Sequence, residues 1–147
     1  MSITFRPARR EDLPEAVAVR SVASFNFKQK YGFVGTKKEE TITPDSFYSF
    51  AMDHESEGFW VAEEGDRIVG MMIFWERGAF RFLAYLFVAP DYQDKKIGSR
   101  LLDAAFRNTT PPGIANRALI TYAYNLTSLG AYMKYGIFSR ESVYKMA

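Results

Sequence analysis

The feature that most constrains the fold is a segment in the middle of the chain, Phe80 to Val88, which is almost entirely apolar. A short apolar run that stops before a proline, here Pro90, predicts a strand, and its lack of alternation predicts burial on both faces of a sheet. An apolar helix is predicted from about Ile97 to Arg107, and a strand over Ala118 to Tyr124. This passage predicts a right-handed parallel crossover in a mixed sheet.

The rest of the chain predicts further elements around this passage. Alternating or turn-bounded apolar segments predict four more strands: Ile3–Pro7, Phe59–Glu63, Ile68–Trp75 and Phe138–Met146. Capping residues and apolar periodicity predict three more helices: one from its N-cap Asp12 to about Phe25, one after Thr43-Pro44-Asp45, and one over Leu126–Tyr135. Residues 26–43 lack a clean period and predict a long connection. We therefore expect an α/β fold in a single domain, residues 1–147, with about six strands and about four helices.

Composition removes several classes of function. The chain has 147 residues, a formal net charge of +2 and no cysteine. Without cysteine there is no thiolate nucleophile, and a single histidine, His54, excludes zinc sites built on several histidines. The balanced charge is unlike that of a dedicated nucleic-acid-binding domain. We recognise neither a targeting segment nor an apolar run of membrane-spanning length, and we expect a cytoplasmic protein without a metal.

The turn after the central strand is the part of the sequence that favours ligand binding. Backbone N–H groups at a helix start lack partners and the helix dipole favours anions, so a phosphate fits there. Gly98 allows close approach to the backbone, and Lys95, Lys96 and Arg100 add positive charge. On these grounds alone, an anion site and an ordinary strand-to-helix turn are equally good interpretations.

Val88, Pro90, Gln93 and Gly98 are spaced as in a known motif. The stretch resembles the coenzyme A-binding motif of the GNAT superfamily of N-acetyltransferases, Val-x-Pro-x-x-Gln/Arg-x-x-Gly-x-Gly/Ala followed by an apolar helix. Lys96 replaces the first motif glycine. If that position needs a positive φ, lysine costs about 1–2 kcal/mol there. Pairing of the lysine ammonium with a phosphate would offset this cost, so we expect cofactor binding to survive.

A second stretch, Asn125 to Gly136, resembles the family pattern Asn-x-x-Ala-x-x-Leu-Tyr-x-Lys-x-Gly-Phe. Ser128 stands for the alanine, Ala131 for the leucine and Ile137 for the phenylalanine. The order of predicted elements over almost the whole chain is also the family's. The resemblance implies a GNAT-like mixed sheet. It also implies an enzyme that moves an acetyl group from acetyl-coenzyme A to a primary amine, by direct attack in a ternary complex.

The resemblance further implies where acetyl-coenzyme A binds. In this family the end of the motif-bearing strand bulges and splays from the next parallel strand, and the pantetheine arm lies in the gap, here between residues 86–88 and 122–124. An N–H at the bulge, near Phe87 or Val88, would polarise the thioester carbonyl as an oxyanion hole does. The implied cofactor-binding residues are Leu86, Phe87, Val88, Gln93, Asp94, Lys95, Lys96, Ile97, Gly98, Ser99, Arg100 and Asn125.

Tyr132 takes the place of the family's general acid. An ordinary thiol has a pKa of about 8.5 and tyrosine one of about 10. Proton transfer to the departing thiolate is therefore uphill, and we expect a hydrogen bond that becomes transfer late in the reaction. The base that accepts the amine proton stays open. Glu76, Asp91, Tyr85 and Tyr124 are candidates, as are a water relay and an amine that arrives neutral.

Two other functions remain open at this level. One is a coenzyme A-binding module without catalysis, a sensor or partner that shares the phosphate turn and does not need Tyr132. The other is an RNA-binding adaptor that uses Lys28, Lys30, Lys37 and Lys38 with the nearby aromatic residues. The acceptor itself, a small-molecule or peptide amine, is not readable. The aromatic, lysine-rich connection between the first two helices favours an acceptor with apolar and acidic character.

The carboxyl terminus departs from the family. Family members usually finish with two antiparallel strands joined by a loop, whereas nine residues follow Phe138 here. At ~3.3 Å per residue these make one strand and not a hairpin, so this end of the sheet is shortened. A poorly covered edge beside Ala118–Tyr124 invites pairing with another chain. We therefore expect a homodimer with Val143 and Tyr144 at or near the interface; a monomer with a twisted edge is the alternative.

Overall fold

The structure is a computed structural model that describes residues 2–33, 45–104, 106, 113–114 and 116–144. Its centre is one sheet of five strands in the order β1-β2-β3-β4-β5. The strands are β1 (Ile3–Pro7), β2 (Phe59–Glu64), β3 (Arg67–Arg77), β4 (Phe80–Val88) and β5 (Asn116–Leu119). Neighbouring strands pair antiparallel from β1 to β4, and β5 pairs parallel to β4.

Helices cover both faces of this sheet. They are α1 (Leu13–Lys30), α2 (Asp45–His54), α3 (Ile97–Asp103) and α4 (Leu126–Met133), with short 3-10 turns at Arg10–Asp12, Ser56–Gly58 and Pro90–Lys95. Successive strand residues point to opposite faces. Met71 therefore shares a core with α1 and α2, whereas its neighbour Met72 shares one with α3 and α4. None of the described helices is long and apolar enough to cross a membrane.

Most of the predicted sheet is present. β1 and β4 have the predicted bounds, and β2 and β3 exceed theirs by one or two residues at an end. The expectation of about six strands is wrong by one within the described residues, because residues 138–144 form no strand. Residues 145–147 of that predicted strand lie outside the described part. The prediction of a strand over Ala118–Tyr124 is also wrong beyond Leu119, where the chain leaves the sheet.

A cluster of five aromatic rings explains why the chain leaves the sheet there. Phe27 stacks on Tyr122 and Tyr124, with centroids 5.6 Å apart in both pairs, and Phe33 stacks on Tyr124 at 4.9 Å. Tyr31 lies 5.0 Å from Tyr124. These contacts join the end of α1 to the segment after β5. They also account for α1 continuing to Lys30, where the sequence predicted an end near Phe25; residues 34–43 of the predicted connection lie outside the described residues.

The start of α1 also differs from its prediction. Asp12 makes no side-chain cap to this helix. Its carboxylate accepts the Arg9 N–H at 2.6 Å and both terminal nitrogens of Arg6, at 2.7 and 2.9 Å. Arg6 also donates to Glu63 at 2.8 and 3.0 Å. The Arg6 hydrogen bonds lower the pKa of both carboxyl groups, so this network joins β1, β2 and the turn before α1 through ion pairs.

The remaining helices agree with the sequence in position and differ in length. α3 begins at Ile97 as predicted and ends at Asp103, after which Ala104 and Phe106 lie in a wider π-helical turn. α4 begins at Leu126 as predicted and ends two residues early, at Met133. The predicted start of α2 at Thr43-Pro44 lies outside the described residues.

Candidate active site

The second half of β4 has a free edge. Residues 80–83 pair with β5, whereas residues 85–88 pair with β3 and with no other strand of the described chain. The register with β3 shifts opposite Ile73 and Phe74, which places the bulge at Ala84. The expectation of a bulge near Phe87 or Val88 is therefore wrong, because both of those residues pair regularly with β3.

Strand alternation decides which backbone groups face this free edge. The N–H of Ala89 donates to the carbonyl of Val69 at 2.9 Å, so Ala89 and, two residues earlier, Phe87 turn their backbone groups toward β3. Leu86 and Val88 then turn theirs outward. The Gln93 side chain reaches the same edge, since its amide nitrogen lies 3.4 Å from the Val88 carbonyl.

The turn beyond this edge is left-handed at Lys96. Lys96 has φ 59° and ψ 18°, and it alone among the described non-glycine residues has a positive φ. The family motif thus has its first glycine at a position whose positive φ favours glycine. In this chain Lys96 occupies that position and bears the expected cost of about 1–2 kcal/mol. Ile97, the next residue, is fully buried, so only its backbone is available to a ligand.

The charges around the turn lie against aromatic rings. Lys95 Nζ is 4.2 Å from the centroid of Tyr92, and Arg100 Cζ is 4.1 Å from that of Phe5. Lys95, Lys96 and Arg100 are all exposed, as are Asp94 and Ser99. The turn therefore presents positive charge to solvent, and cation–π contacts position Lys95 and Arg100.

Gly98 faces open space at the start of α3. A Cβ built on Gly98 would meet one atom of the described chain within 4 Å, Val88 Cγ2 at 3.8 Å, which is an ordinary contact. Because the φ of Gly98 is not positive, residues other than glycine can adopt its backbone conformation. The space before Gly98 is thus not needed for packing the protein and is available to a ligand.

Helix α4 positions the two residues of the second motif. Asn125 is its N-cap, and its side-chain oxygen accepts the Ser128 N–H at 3.3 Å, which leaves the amide nitrogen as a donor. Tyr132 is 8% exposed and belongs to the core between the sheet, α3 and α4. Burial raises the pKa of Tyr132 above its ordinary value, and a side-chain hydrogen bond with Ser128 opposes this.

The four candidate bases lie in different surroundings. Glu76 pairs with Arg81 near the opposite end of β4 from Val88, and Asp91 is exposed beside the turn. Tyr85 lies beneath the guanidinium of Arg20, whose Cζ is 5.2 Å from the ring centroid. Burial and the neighbouring Tyr122 raise the pKa of Tyr124, which belongs to the aromatic cluster. The geometry does not bring these groups together.

A cavity of about 550 Å³ lies near the first half of β4, lined in part by His54, Glu57, Glu76 and Arg81. It includes none of the predicted cofactor-binding residues. Two of the acidic residues that line it are paired: Glu76 with Arg81, which also lines the cavity, and Glu55 with Arg77, which does not. In the residues that the structure describes, no group of three or more His, Cys, Asp or Glu side chains is placed to hold a metal ion.

Sequence reasoning did not single out Arg20 or Trp75. Nε and Nη1 of Arg20 are buried, as is Nε1 of Trp75, and none of these nitrogens has a hydrogen-bond partner among the residues that the structure describes. Both residues belong to the sheet face covered by α1 and α2, opposite the core that contains Tyr132. The neighbouring sequence of Arg20 does not reveal its burial, because the residues that surround its guanidinium come from distant strands.

Comparison with known proteins places these elements in a family. The family model described as the Acetyltransferase (GNAT) family matches residues 21–137. No curated protein matches this chain. Among solved structures, PaiA N-acetyltransferase from Thermoplasma acidophilum, in complex with coenzyme A, is 22% identical. That similarity covers 91% of this chain and 88% of the other, with a TM-score of 0.66.

Two further structures have the same fold. A GNAT-family acetyltransferase from Staphylococcus aureus Mu50 is 21% identical over 92% of this chain and 84% of its own, with a TM-score of 0.67. AAC(6')-Iy, in complex with the bisubstrate analogue CoA-S-monomethyl-acetylneamine, is 17% identical over 100% of this chain and 98% of its own, with a TM-score of 0.66. With the family model covering most of its length, the chain belongs to the GNAT family of acetyltransferases.

Proposed function

We propose that this protein binds acetyl-coenzyme A and transfers its acetyl group to a primary amine by direct attack in a ternary complex. The observation that carries the proposal is the free edge of β4 at residues 85–88, which runs directly into the left-handed turn at Lys96. Backbone groups along such an edge need partners, and an extended chain with amide groups supplies them. The pantetheine arm of coenzyme A is a chain of this kind.

The residues around the edge fit the rest of the cofactor. Leu86 and Val88 would bond the arm through their outward backbone groups, with the Asn125 amide on the other side of the gap. The backbone N–H groups of residues 94–99 would hold the pyrophosphate, supported by the charges of Lys95, Lys96 and Arg100. The open space before Gly98 gives the phosphate room to approach the backbone.

The reaction needs little from the protein beyond positioning and polar groups. Bound acetyl-coenzyme A supplies the acetyl group as a thioester. The acceptor nitrogen forms a bond to the carbonyl carbon, the carbon–sulfur bond breaks, and one proton leaves the amine. Of the N–H groups that face the free edge, that of Leu86 lies farther from the pyrophosphate turn and is the donor we assign to the carbonyl oxygen. The Phe87 N–H faces β3 and is not available for this role.

Tyr132 would stabilise the departing sulfur. Its raised pKa makes it a weaker acid than ordinary tyrosine, so a hydrogen bond to the thiolate fits better than complete proton transfer. For the amine proton, a water relay or an amine that arrives neutral fits the scattered positions of the four candidate bases. For Glu76 to act as a base next to the attacking nitrogen, its side chain would have to leave its ion pair with Arg81.

The relatives support the cofactor and the kind of acceptor. The Thermoplasma structure contains coenzyme A, and the AAC(6')-Iy structure contains the bisubstrate analogue CoA-S-monomethyl-acetylneamine. These are properties of those proteins. For this chain they support an acyl transfer that uses acetyl-coenzyme A and an amine.

A second candidate is a coenzyme A-binding module without catalysis. The buried position of Tyr132 in a core favours it, because a tyrosine held by packing also fills this place in a protein that only binds. Calorimetry with acetyl-coenzyme A, followed by mass spectrometry of an amine panel, tests both. We expect binding and acetylated product. Binding without any product would favour the module, and no binding at millimolar cofactor would remove both.

A further inference from the structure

The sheet face covered by α1 and α2 contains buried donors without acceptors. Nε and Nη1 of Arg20 and Nε1 of Trp75 are inaccessible to solvent, and the described chain offers none of them a hydrogen bond. Two other shielded arginines differ from Arg20 in having a carboxylate partner. Arg6 is held by two carboxylates, and Arg81 is paired with Glu76. An unpaired cation in such a place costs stability, so Arg20 calls for an explanation in terms of a ligand.

These donors flank the open half of β4. The Arg20 guanidinium lies over Tyr85, 5.2 Å from its ring centroid, and the Tyr85 ring is 5.7 Å from that of Phe87. Phe47 of α2 contacts both Tyr85, at 5.1 Å, and Trp75, at 5.6 Å. The two donors thus border one aromatic surface, formed by Phe47, Tyr85 and Phe87. This surface lies on the half of β4 whose free edge is assigned to the thioester.

The chemistry of the donors specifies their partner. Arginine and the indole N–H donate hydrogen bonds and accept none. The complementary group is one that only accepts hydrogen bonds, and beside a guanidinium it is an anion, of which a carboxylate is the kind that an amine substrate can carry. An acceptor with several positive charges would instead meet Arg20 and Lys28 on the same helix.

We propose that the acetyl acceptor is an amine that also carries a carboxylate, and that Arg20 binds this carboxylate with help from the Trp75 N–H. The apolar part of the acceptor would pack on Phe47 and Tyr85. This inference rests on the proposed acetyl transfer and names its substrate class. Arg20 is a specificity-determining residue in this scheme, since it contacts the acceptor away from the reacting nitrogen.

The test compares each acid with its amide. The probes are phenylalanine with phenylalaninamide and 4-aminobutyrate with 4-aminobutanamide, measured for kcat/KM and, by calorimetry in the presence of coenzyme A, for binding. For at least one pair, we expect the wild type to prefer the acid by about ten- to a hundred-fold, the range of a charged hydrogen-bonded pair. Arg20→Met should abolish the preference and Arg20→Lys should retain part of it, because lysine keeps the charge and loses the fork.

Arg10→Met is the matched control, because it removes an exposed arginine that pairs with Asp53 on the protein surface. It should keep the wild-type preference. Arg20→Met should keep its melting temperature or raise it, since the unpaired nitrogens disappear. A fall in melting temperature with an unchanged acid-to-amide ratio would assign Arg20 to folding and overturn the inference.

The inference and the proposed function fail separately. If acetyl-coenzyme A binds and the acid and amide of both pairs react equally, the carboxylate site is wrong and acetyl transfer stands. Failure of both acids to bind more tightly than their amides overturns the inference whether or not product forms. Failure of acetyl-coenzyme A itself to bind removes the proposed function, while the acid-to-amide binding ratio still decides the carboxylate site.

Discussion

The two halves of β4 have similar composition and different surroundings. Residues 80–83 are bonded to β3 on one edge and to β5 on the other, and they include the buried Arg81 and Leu83, 1% and 4% exposed. Residues 85–88 are bonded on the β3 edge and are all half-buried. We call residues 80–83 the closed half, because both of their edges pair with strands of the protein. We call residues 85–88 the open half, because one edge has no strand partner in the described chain and the aromatic side chains are only partly buried. A ligand-binding edge requires such available groups.

The largest effect we expect concerns stability in the closed half. Leu83→Ala should lower the free energy of unfolding by about 2–5 kcal/mol, because it leaves a cavity in the core shared with α3 and α4. Urea denaturation measures this, and acetyl-coenzyme A affinity should stay within a few-fold. Leu86→Ala deletes the same atoms from the open half and should cost less than half as much. Equal losses at the two positions would contradict the distinction between the halves.

The sequence predicted the parts of this picture that depend on local pattern. β4 was correct at both ends because an apolar run stopped by Pro90 needs no knowledge of its neighbours. The turn was recognised from Val88, Pro90, Gln93 and Gly98, and the left-handed angle of Lys96 agrees with the glycine it replaces. These are short-range features in which the chain's own steric limits decide the conformation.

The parts that failed depend on distant contacts. Residues 120–124 are as apolar and β-prone as a strand, yet Tyr122 and Tyr124 stack on Phe27 from α1 instead of continuing β5. The bulge at Ala84 follows from register with β3, which no single strand encodes. Arg20 acquires its unpaired, buried nitrogens from packing beside Tyr85, 65 positions later in the chain.

Tyr132→Phe probes the chemistry proposed beside the open half. We expect turnover to fall about 100-fold, at the low end for a positioned acid, with cofactor affinity within a few-fold. Tyr135→Phe is a control, since that hydroxyl bonds Asp103 at 2.7 Å and has no assigned role in the reaction. Wild-type turnover in Tyr132→Phe, with chemistry limiting the rate, would reduce Tyr132 to packing.

The same residue gives a pH prediction with a definite sign. Because burial raises the pKa of Tyr132, the hydroxyl keeps its proton to a higher pH than the ordinary value of about 10. Ionisation of Tyr132 should therefore cause no decline in kcat below about pH 10. A decline centred near pH 8 that disappears in Tyr132→Phe would contradict the assigned environment.

Gly98→Val tests the turn that continues the open half. The added methyl groups would occupy the space assigned to phosphate, so acetyl-coenzyme A affinity should weaken at least about tenfold. Stability should change by less than about 1 kcal/mol, since the new Cβ meets only Val88 within the described chain. Gly98→Ala should fall between the wild type and the valine variant in calorimetry. Unchanged affinity in a folded valine variant would put the phosphate elsewhere.

The ion-pair network around Arg6 on β1 extends the comparison to pH. Asp12→Asn should lower the free energy of unfolding by about 1–2 kcal/mol at pH 7, because it weakens the hydrogen bonds with Arg6. The Arg6 bonds lower the pKa of Asp12, so this stabilisation is present above about pH 4 and is lost as pH falls through the lowered pKa. Asp53→Asn, at an exposed pair, should change little. A difference that persisted undiminished at pH 2 would refute the ionic origin.

β5 forms the other edge of the sheet and pairs with no further strand of the described chain. This edge carries the smallest expected effect. Val143 and Tyr144 are 74% and 81% exposed, and Ile120, just past β5, is 70% exposed. Exposed apolar groups in the same part of the chain as an open edge favour association with a second copy. We therefore expect a homodimer at micromolar concentration by light scattering, and a monomer when Val143 and Tyr144 are both changed to glutamate. Thr4→Glu with Ser2→Glu, two exposed positions at the opposite edge of the sheet, should leave the dimer intact. A wild-type protein that is already monomeric would mean that the β5 edge is stable in water without a partner.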